Sequence, residues 1–432
     1  MSVTITQSPT TPNAAYTRLV YVASGSVTTS EPQYQYVMDV YLSGSLDLIN
    51  RVTQVPNPAG VAVFDPSPIL QGQLQNDNNW KVISATGPTG SVKAFDIRFG
   101  EQYGTSTSSS VTVYTGSISN YLEVFPGIVN ENNGISYNFI TSSFTDPLNN
   151  PYLTNAPYAF NNPTDEVPAS GYHGLMNSTD YFTATTFGDT FLTPASVTIQ
   201  VQKYVNGQNV ASGVGPISIV LSPPSGSFNT IGLGPKNLAE LSPTFSASLA
   251  AGNINFIYTS NDFGGISYYI NDKWDGVAVN GTNIASTGET FKQCSNEYTR
   301  FAFINRYGFW DYYNVYNPVK TNTDLQRESF NNSFVNYSTN PSPYNANRRG
   351  DTQTYLASTD KYSIDTDYID KDFANWLEEL MESPSVYLQE GSNFVPIIIT
   401  NTEYKTNNST ARNKLFKYTI EWEYANARRS RI

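Results

Sequence analysis

The chain is short of the side chains from which most reactive sites are built. In 432 residues it has one cysteine, Cys294, and one histidine, His173. A lone thiol cannot form an internal disulfide, and a Cys/His zinc site cannot be assembled, so no metal or cofactor is expected. Charged residues make up only 14%, and with 24 Lys+Arg against 36 Asp+Glu the formal net charge is −12. A general nucleic-acid binder needs a basic face to displace counterions, so no direct nucleic-acid partner is expected. Long hydrophobic runs are missing too. None approaches the roughly 20 residues needed to span a bilayer, and no membrane insertion is expected. The opening Met1-Ser-Val-Thr-Ile-Thr-Gln-Ser has neither the basic start nor the apolar middle of a signal peptide, which predicts a protein made and assembled in a cytoplasm.

What is plentiful is tyrosine (31), phenylalanine (23), glycine (29) and proline (25), with Asn, Ser and Thr at the polar positions. Aromatics with uncharged polar residues and frequent breaks suit all-β modules. The expected fold is mainly β: several antiparallel β-sandwich-like modules, with one short amphipathic helix at about 370–383 in the C-terminal module. Tyr34, Tyr36, Met38 and Val40 alternate with Gln35 and Asp39, and Phe95, Ile97 and Phe99 alternate with Ala94, Asp96 and Arg98. Ser67 to Leu74 reads as a helical turn. Val197, Ile199 and Val201 lead to Asn206-Gly207, a two-residue hairpin turn. Pro223-Pro224 and Gly232-Leu-Gly-Pro235 read as a boundary. The helix carries Phe373, Trp376, Leu377, Leu380 and Met381 on one face and stops at Pro384. These signals divide the chain into an N-terminal β-domain (1–115), a Tyr/Asn/Pro-rich insertion (116–185), a second β-domain (186–250) and a C-terminal β-module (251–432).

The segment Phe301-Ala-Phe-Ile-Asn-Arg-Tyr-Gly308 turns into Phe309-Trp-Asp-Tyr-Tyr-Asn-Val-Tyr316. Aromatics at period two give large contact area with few torsions to freeze. Tyr307, Phe309, Trp310 and Tyr312 are therefore candidates for an assembly surface. The tip Arg428, Arg429 and Arg431 is a second candidate, set against Glu378, Glu379 and Glu382 on the helix of a neighbouring copy.

Candidate chemistry is thin. Glu421 and Glu423 stand two apart on one strand face, about 7 Å from each other, which overlaps glycosidase spacing; but a glycosidase usually takes its two carboxylates from different strands flanking a cleft, and the solvated face of an alternating strand accounts for these two. Asp360, Asp365, Asp367, Asp370 and Asp372 cluster before the helix, and the run Asp365-Thr-Asp367-Tyr-Ile-Asp370 begins like a calcium loop. The pattern then fails, because Ile369 occupies the third ligand position and no glycine follows. Arg349-Gly350-Asp351 matches an adhesion tripeptide that three residues produce easily by chance. His173 and Cys294 read as a turn residue and a small filler.

At Asn305-Arg-Tyr-Gly-Phe-Trp-Asp-Tyr312 the sequence resembles the large tail or neck structural proteins of tailed bacteriophages that infect Bacteroidetes, of the crAss-like and flavobacterial type. The likeness continues through Thr359-Asp-Lys-Tyr-Ser-Ile-Asp-Thr-Asp-Tyr368, Trp376-Leu-Glu-Glu-Leu380 and Ser383-Pro-Ser-Val-Tyr-Leu388. Pro396-Ile-Ile-Ile-Thr-Asn401 and Leu415-Phe-Lys-Tyr-Thr-Ile-Glu-Trp-Glu-Tyr424 extend it, with weaker similarity over Tyr36 to Val52, Pro56 to Leu74 and Gly234-Pro-Lys-Asn237. The resemblance implies a non-enzymatic virion component of β-sandwich-like modules, present in several copies around the tail axis. Its partners would be itself and other tail or neck proteins, and it would be synthesised in the host cytoplasm. No catalytic residue is carried over. Two other readings stay open: an adhesin that stacks host-surface glycans on the insertion's aromatic rings, and a virion-associated glycan hydrolase.

Overall fold

A computed structural model describes residues 3–25, 31–45, 47–74, 80–81, 84–86, 92–127, 153–157, 159–160, 174–188, 196–205, 208–220, 227–261, 264–270, 298–331, 351–369, 371–401 and 416–426. The fold is mainly β, with several mostly antiparallel sheets and four helices among the described residues. Contacts divide the chain into two units. The first comprises Met1–Gln293 with Phe303–Tyr312, the second Cys294–Ala302 with Tyr313–Ile432. The sequence cut at 115/116 falls inside the strand Thr112–Phe125, whose Leu122 and Val124 keep turning inward where the pattern first weakens.

The first unit begins as a sandwich. A three-stranded sheet (Val3–Gln7, Tyr21–Gly25, Val61–Phe64) shares one core with a five-stranded sheet ordered Asn13–Ala14, Thr112–Phe125, Lys93–Tyr103, Gln35–Leu42, Leu48–Gln54. The residues that alternate in the sequence supply it: Tyr36, Met38, Val40, Phe95, Ile97 and Leu122 are all wholly buried. Tyr21 and Phe64 reach Phe99 at ring distances of 5.1 and 5.7 Å. Each such side chain contributes about 1.5–3 kcal/mol on leaving water. On the other face of the same strand Asp39 is buried as well, held by Arg51 in a two-pronged pair at 2.6 and 2.7 Å. Helix α1 (Ser67–Gln71) lies where the sequence places a helical turn, and its Leu70 joins this core.

A seven-stranded sheet and a three-stranded sheet complete the unit. In the larger one, Val205 lies opposite Gln208, so the strands flanking Asn206-Gly207 pair as a tight hairpin would. Near 232–235, where the sequence reads as a boundary, two helices begin that the sequence reading did not expect, α2 (Pro235–Leu241) and α3 (Pro243–Ala250). Both begin with proline at the first helical turn, where the missing N–H costs nothing. Neither has a clear apolar stripe, so periodicity does not reveal them. Gly234 is required because a Cβ there would lie 2.3 Å from the Phe182 backbone nitrogen. Buried Asn237 accepts from that same N–H at 3.0 Å and donates to the Trp80 carbonyl at 2.8 Å. The Gly234-Pro-Lys-Asn237 motif is thus a packing device.

In the second unit, helix α4 (Lys371–Glu382) forms as expected. It buries Ala374, Trp376, Leu377 and Leu380, and Trp376 meets Tyr313 edge-on at 5.9 Å. The last strand, Thr419–Tyr424, alternates as read: Ile420 and Trp422 are buried, Thr419 and Glu421 exposed. The sheet runs Trp310–Val315, Thr299–Ile304, Val386–Glu390, Asn393–Ile399, Thr419–Tyr424, Asp351–Asp365, Lys320–Asn331.

Candidate assembly interface

The aromatic hairpin expected to face a partner is occupied within its own chain. Phe309 and Tyr312 are each only 3% exposed. Phe309 stacks on Phe125 at 6.1 Å and packs on Phe228 at 5.0 Å, in a cluster with Ala14, Val92 and Leu153. Tyr312 shares a 2.7 Å hydrogen bond with the Thr183 hydroxyl and lies 5.2 Å from Phe182. Half-buried Trp310 meets Trp80 at 4.7 Å, and half-buried Tyr307 donates to Asn155 Oδ1 at 2.8 Å. The assignment of Phe309 and Tyr312 to an intermolecular surface is therefore corrected. Period two tells which residues share a face, and here that face is closed by the same polypeptide.

Asn305 fixes the turn. Its carboxamide oxygen accepts from the N–H groups of Tyr307 (3.0 Å) and Phe309 (3.1 Å), while Nδ2 donates to the Leu153 carbonyl at 2.8 Å. Gly308 has φ +85°, and a Cβ there would meet the Gly127 nitrogen at 2.7 Å. Only glycine meets both demands. The Asn305–Tyr312 segment is thus an internal anchor.

Arg428, Arg429 and Arg431, like His173, Cys294, Arg349 and Asp370, lie outside the described residues. Of the helix carboxylates, Glu378 accepts from the Tyr418 hydroxyl at 3.4 Å. Burial chiefly, with Glu382 nearby, pushes the Glu378 carboxyl above its ordinary range, and burial together with Glu378 pushes Tyr418 up to about 12. Asp365, expected in a carboxylate cluster ahead of the helix, instead ends a strand. It takes Thr419 Oγ1 at 2.7 Å, Lys320 Nζ at 2.9 Å and Lys417 Nζ at 3.5 Å. Those donors, Lys320 first, bring it down to about 2. Lysines therefore satisfy it. Among the described residues no group of three His, Cys, Asp or Glu is placed to hold a metal ion, and no helix is long and apolar enough to cross a membrane. Most of the Tyr/Asn-rich insertion, 128–152 and 161–173, lies outside the described residues, and with it the expected glycan-stacking rings.

The surface that sequence reasoning missed is the hairpin Lys320–Asn331 with Asp351–Asp365. Its first strand is exposed at all twelve positions. The second strand pairs with Thr419–Tyr424 only from Tyr362 to Asp365. Among the described residues the two strands therefore run beyond the sheet as a ribbon from Asn322 opposite Lys361 to Asn331 opposite Asp351, about 30 Å long at the usual strand rise. Leu325 and Phe330 on it are 50% and 47% exposed. Polar cross-strand links stiffen it: Lys361 to Asp324 at 2.7 Å, Thr323 to Asp360 at 2.8 Å, Asn331 to Asp351 at 3.0 Å. Among the described residues the outer edge of Lys320–Asn331 ends the sheet, so alternate N–H and C=O groups there point away from every described strand. The only sequence hint is the run of Thr and Asn on both faces, which lacks the apolar alternation that marks a half-buried strand.

No protein-family model matches the chain, and no curated protein matches it.

Proposed function

We propose that the chain is a structural protein of a tailed-bacteriophage virion, part of the tail, neck or baseplate, which works by assembling with copies of itself and with other virion proteins. One observation carries this reading: a two-stranded ribbon, water-exposed along its whole first strand, with the apolar side chains Leu325 and Phe330 about half exposed among the described residues. Isolated two-stranded ribbons are marginal in water. Holding one out at this length is physically sensible when a neighbour adds strands or surface to it. The family resemblance adds the virion context.

Electron microscopy of the parent particle, with this subunit tagged, tests the reading. The tag is expected at repeated positions along the tail axis or at its junction with the head. A subunit absent from purified particles, or tagged only on the shell of the head, sinks it.

A further inference from the structure

The exposed edge strand Lys320–Asn331 has a sequence that selects how it pairs. We infer that two copies of the chain join edge to edge through Lys320–Asn331, antiparallel about a two-fold axis at Leu325, giving a four-stranded ribbon. This rests on the homo-oligomeric part of the proposed function and specifies its contact.

The argument starts from hydrogen-bond parity. In an antiparallel pair, opposed residues must both turn their N–H and C=O toward the neighbour or both turn them away. When a strand pairs with its own copy, opposed positions therefore share parity, and one residue must face itself. Centring on Asp324 or Arg327 sets like charges directly against each other. Centring on Gln326 sets Asp324 against Glu328. Directly opposed like charges destabilise a pair. Centring on Leu325 avoids all of these: Leu325 faces Leu325 of the second copy, Asp324 faces Gln326, Thr323 faces Arg327 and Asn322 faces Glu328. Thr323-centred pairing also avoids clashes but engages only Lys320 to Gln326, whereas the Leu325 register reaches from Lys320 to Phe330.

The backbone singles out the same point independently. The ribbon leaves the sheet at Asn322 opposite Lys361, and a β-bulge interrupts the ladder between Glu328 and Ser329. Leu325 is the midpoint of the regular stretch from Asn322 to Glu328, and it is half exposed. Asp324 already has Lys361 at 2.7 Å, so it can face a neutral Gln326 without needing a charge from the second copy.

Full-length protein with Cys294→Ser and Leu325→Cys tests the register by mild oxidation, because opposed strand positions lie within disulfide reach. Leu325→Cys is expected to link to itself in roughly half of the chains or more. Thr323→Cys and Arg327→Cys are each expected to link poorly alone and well when mixed. Leu325→Asp should weaken the dimer about tenfold or more by opposing two carboxylates. An oligomer by mass without this linkage pattern overturns the register and leaves the assembly reading standing. A monomer at high micromolar concentration overturns the register and the homo-oligomeric reading together.

Discussion

The hairpins Thr299–Ile304/Trp310–Val315 and Lys320–Asn331/Asp351–Asp365 are separated only by residues 316–319, and they supply opposite edges of one seven-stranded sheet. In the first, Phe301, Ala302, Phe303 and Ile304 are buried in succession, so both faces are covered, and its edge strand is buried from Asp311 to Val315. In the second, the edge strand is wet throughout. Both hairpins are made of β-strands within one sheet, so strand formation itself does not separate them. The difference lies in what the side chains offer. Continuous apolar runs are what a doubly covered strand needs. A run such as Thr321-Asn-Thr-Asp324 offers a second layer nothing to bury. The aromatic hairpin is buried within its own chain; the edge strand of the polar one is exposed.

That contrast can be broken at several points. Phe309→Ala should cost about 3–5 kcal/mol in denaturant unfolding, the range for truncating a buried ring; a loss under about 1 kcal/mol would return Phe309 to the surface. Gly308→Ala should cost about 2–3 kcal/mol, because the left-handed backbone and the approach of Gly127 both oppose a Cβ. Asp365 sharpens the comparison at the root of the wet hairpin. It titrates near 2 in the folded chain against an ordinary value of 3.8. A depressed carboxylate stabilises the fold above its unfolded pKa, so its contribution is complete above about pH 4 and is lost as the pH falls toward 2. Asp365→Asn should remove less than about 1 kcal/mol at neutral pH, since solvent screens the lysine partners, and should flatten acid unfolding in that window. Smallest of all, Leu325→Asp should leave monomer stability within about 0.5 kcal/mol of the parent, as expected for an exposed site, while association weakens about tenfold or more. A large drop in monomer stability would mean the ribbon is already packed.

Much of the fold is legible before any coordinates. Tyr36, Met38 and Val40, then Phe95, Ile97 and Phe99, announce their strands because one face is buried and the other is not. Trp376, Leu377 and Leu380 announce α4 for the same reason at helical spacing. Legibility fails where that asymmetry is missing. The strand Lys320–Asn331 is wet on both faces, and α3, Pro-Thr-Phe-Ser-Ala-Ser-Leu-Ala, seats only Phe245 among its buried residues. Asp39 shows a further failure. Alternation puts it on the polar face, but a paired arginine lets that face be covered as well. For the candidate site, the aromatics at 307–312 were visible as contact makers, but nothing in their spacing says whether the contact is with the same molecule or another.

One feature of the connectivity reaches into biosynthesis. Residues 303–312 belong to the first unit although about 290 residues of that unit precede them and Cys294–Ala302 does not belong to it. During translation the rings of Phe125 and Phe228 must wait for Phe309, which emerges from the ribosome only after the rest of that unit has been made. Any nascent or proteolytic fragment ending near 293 lacks the ring that packs on both of them, so the first unit is complete only late in the chain's own synthesis.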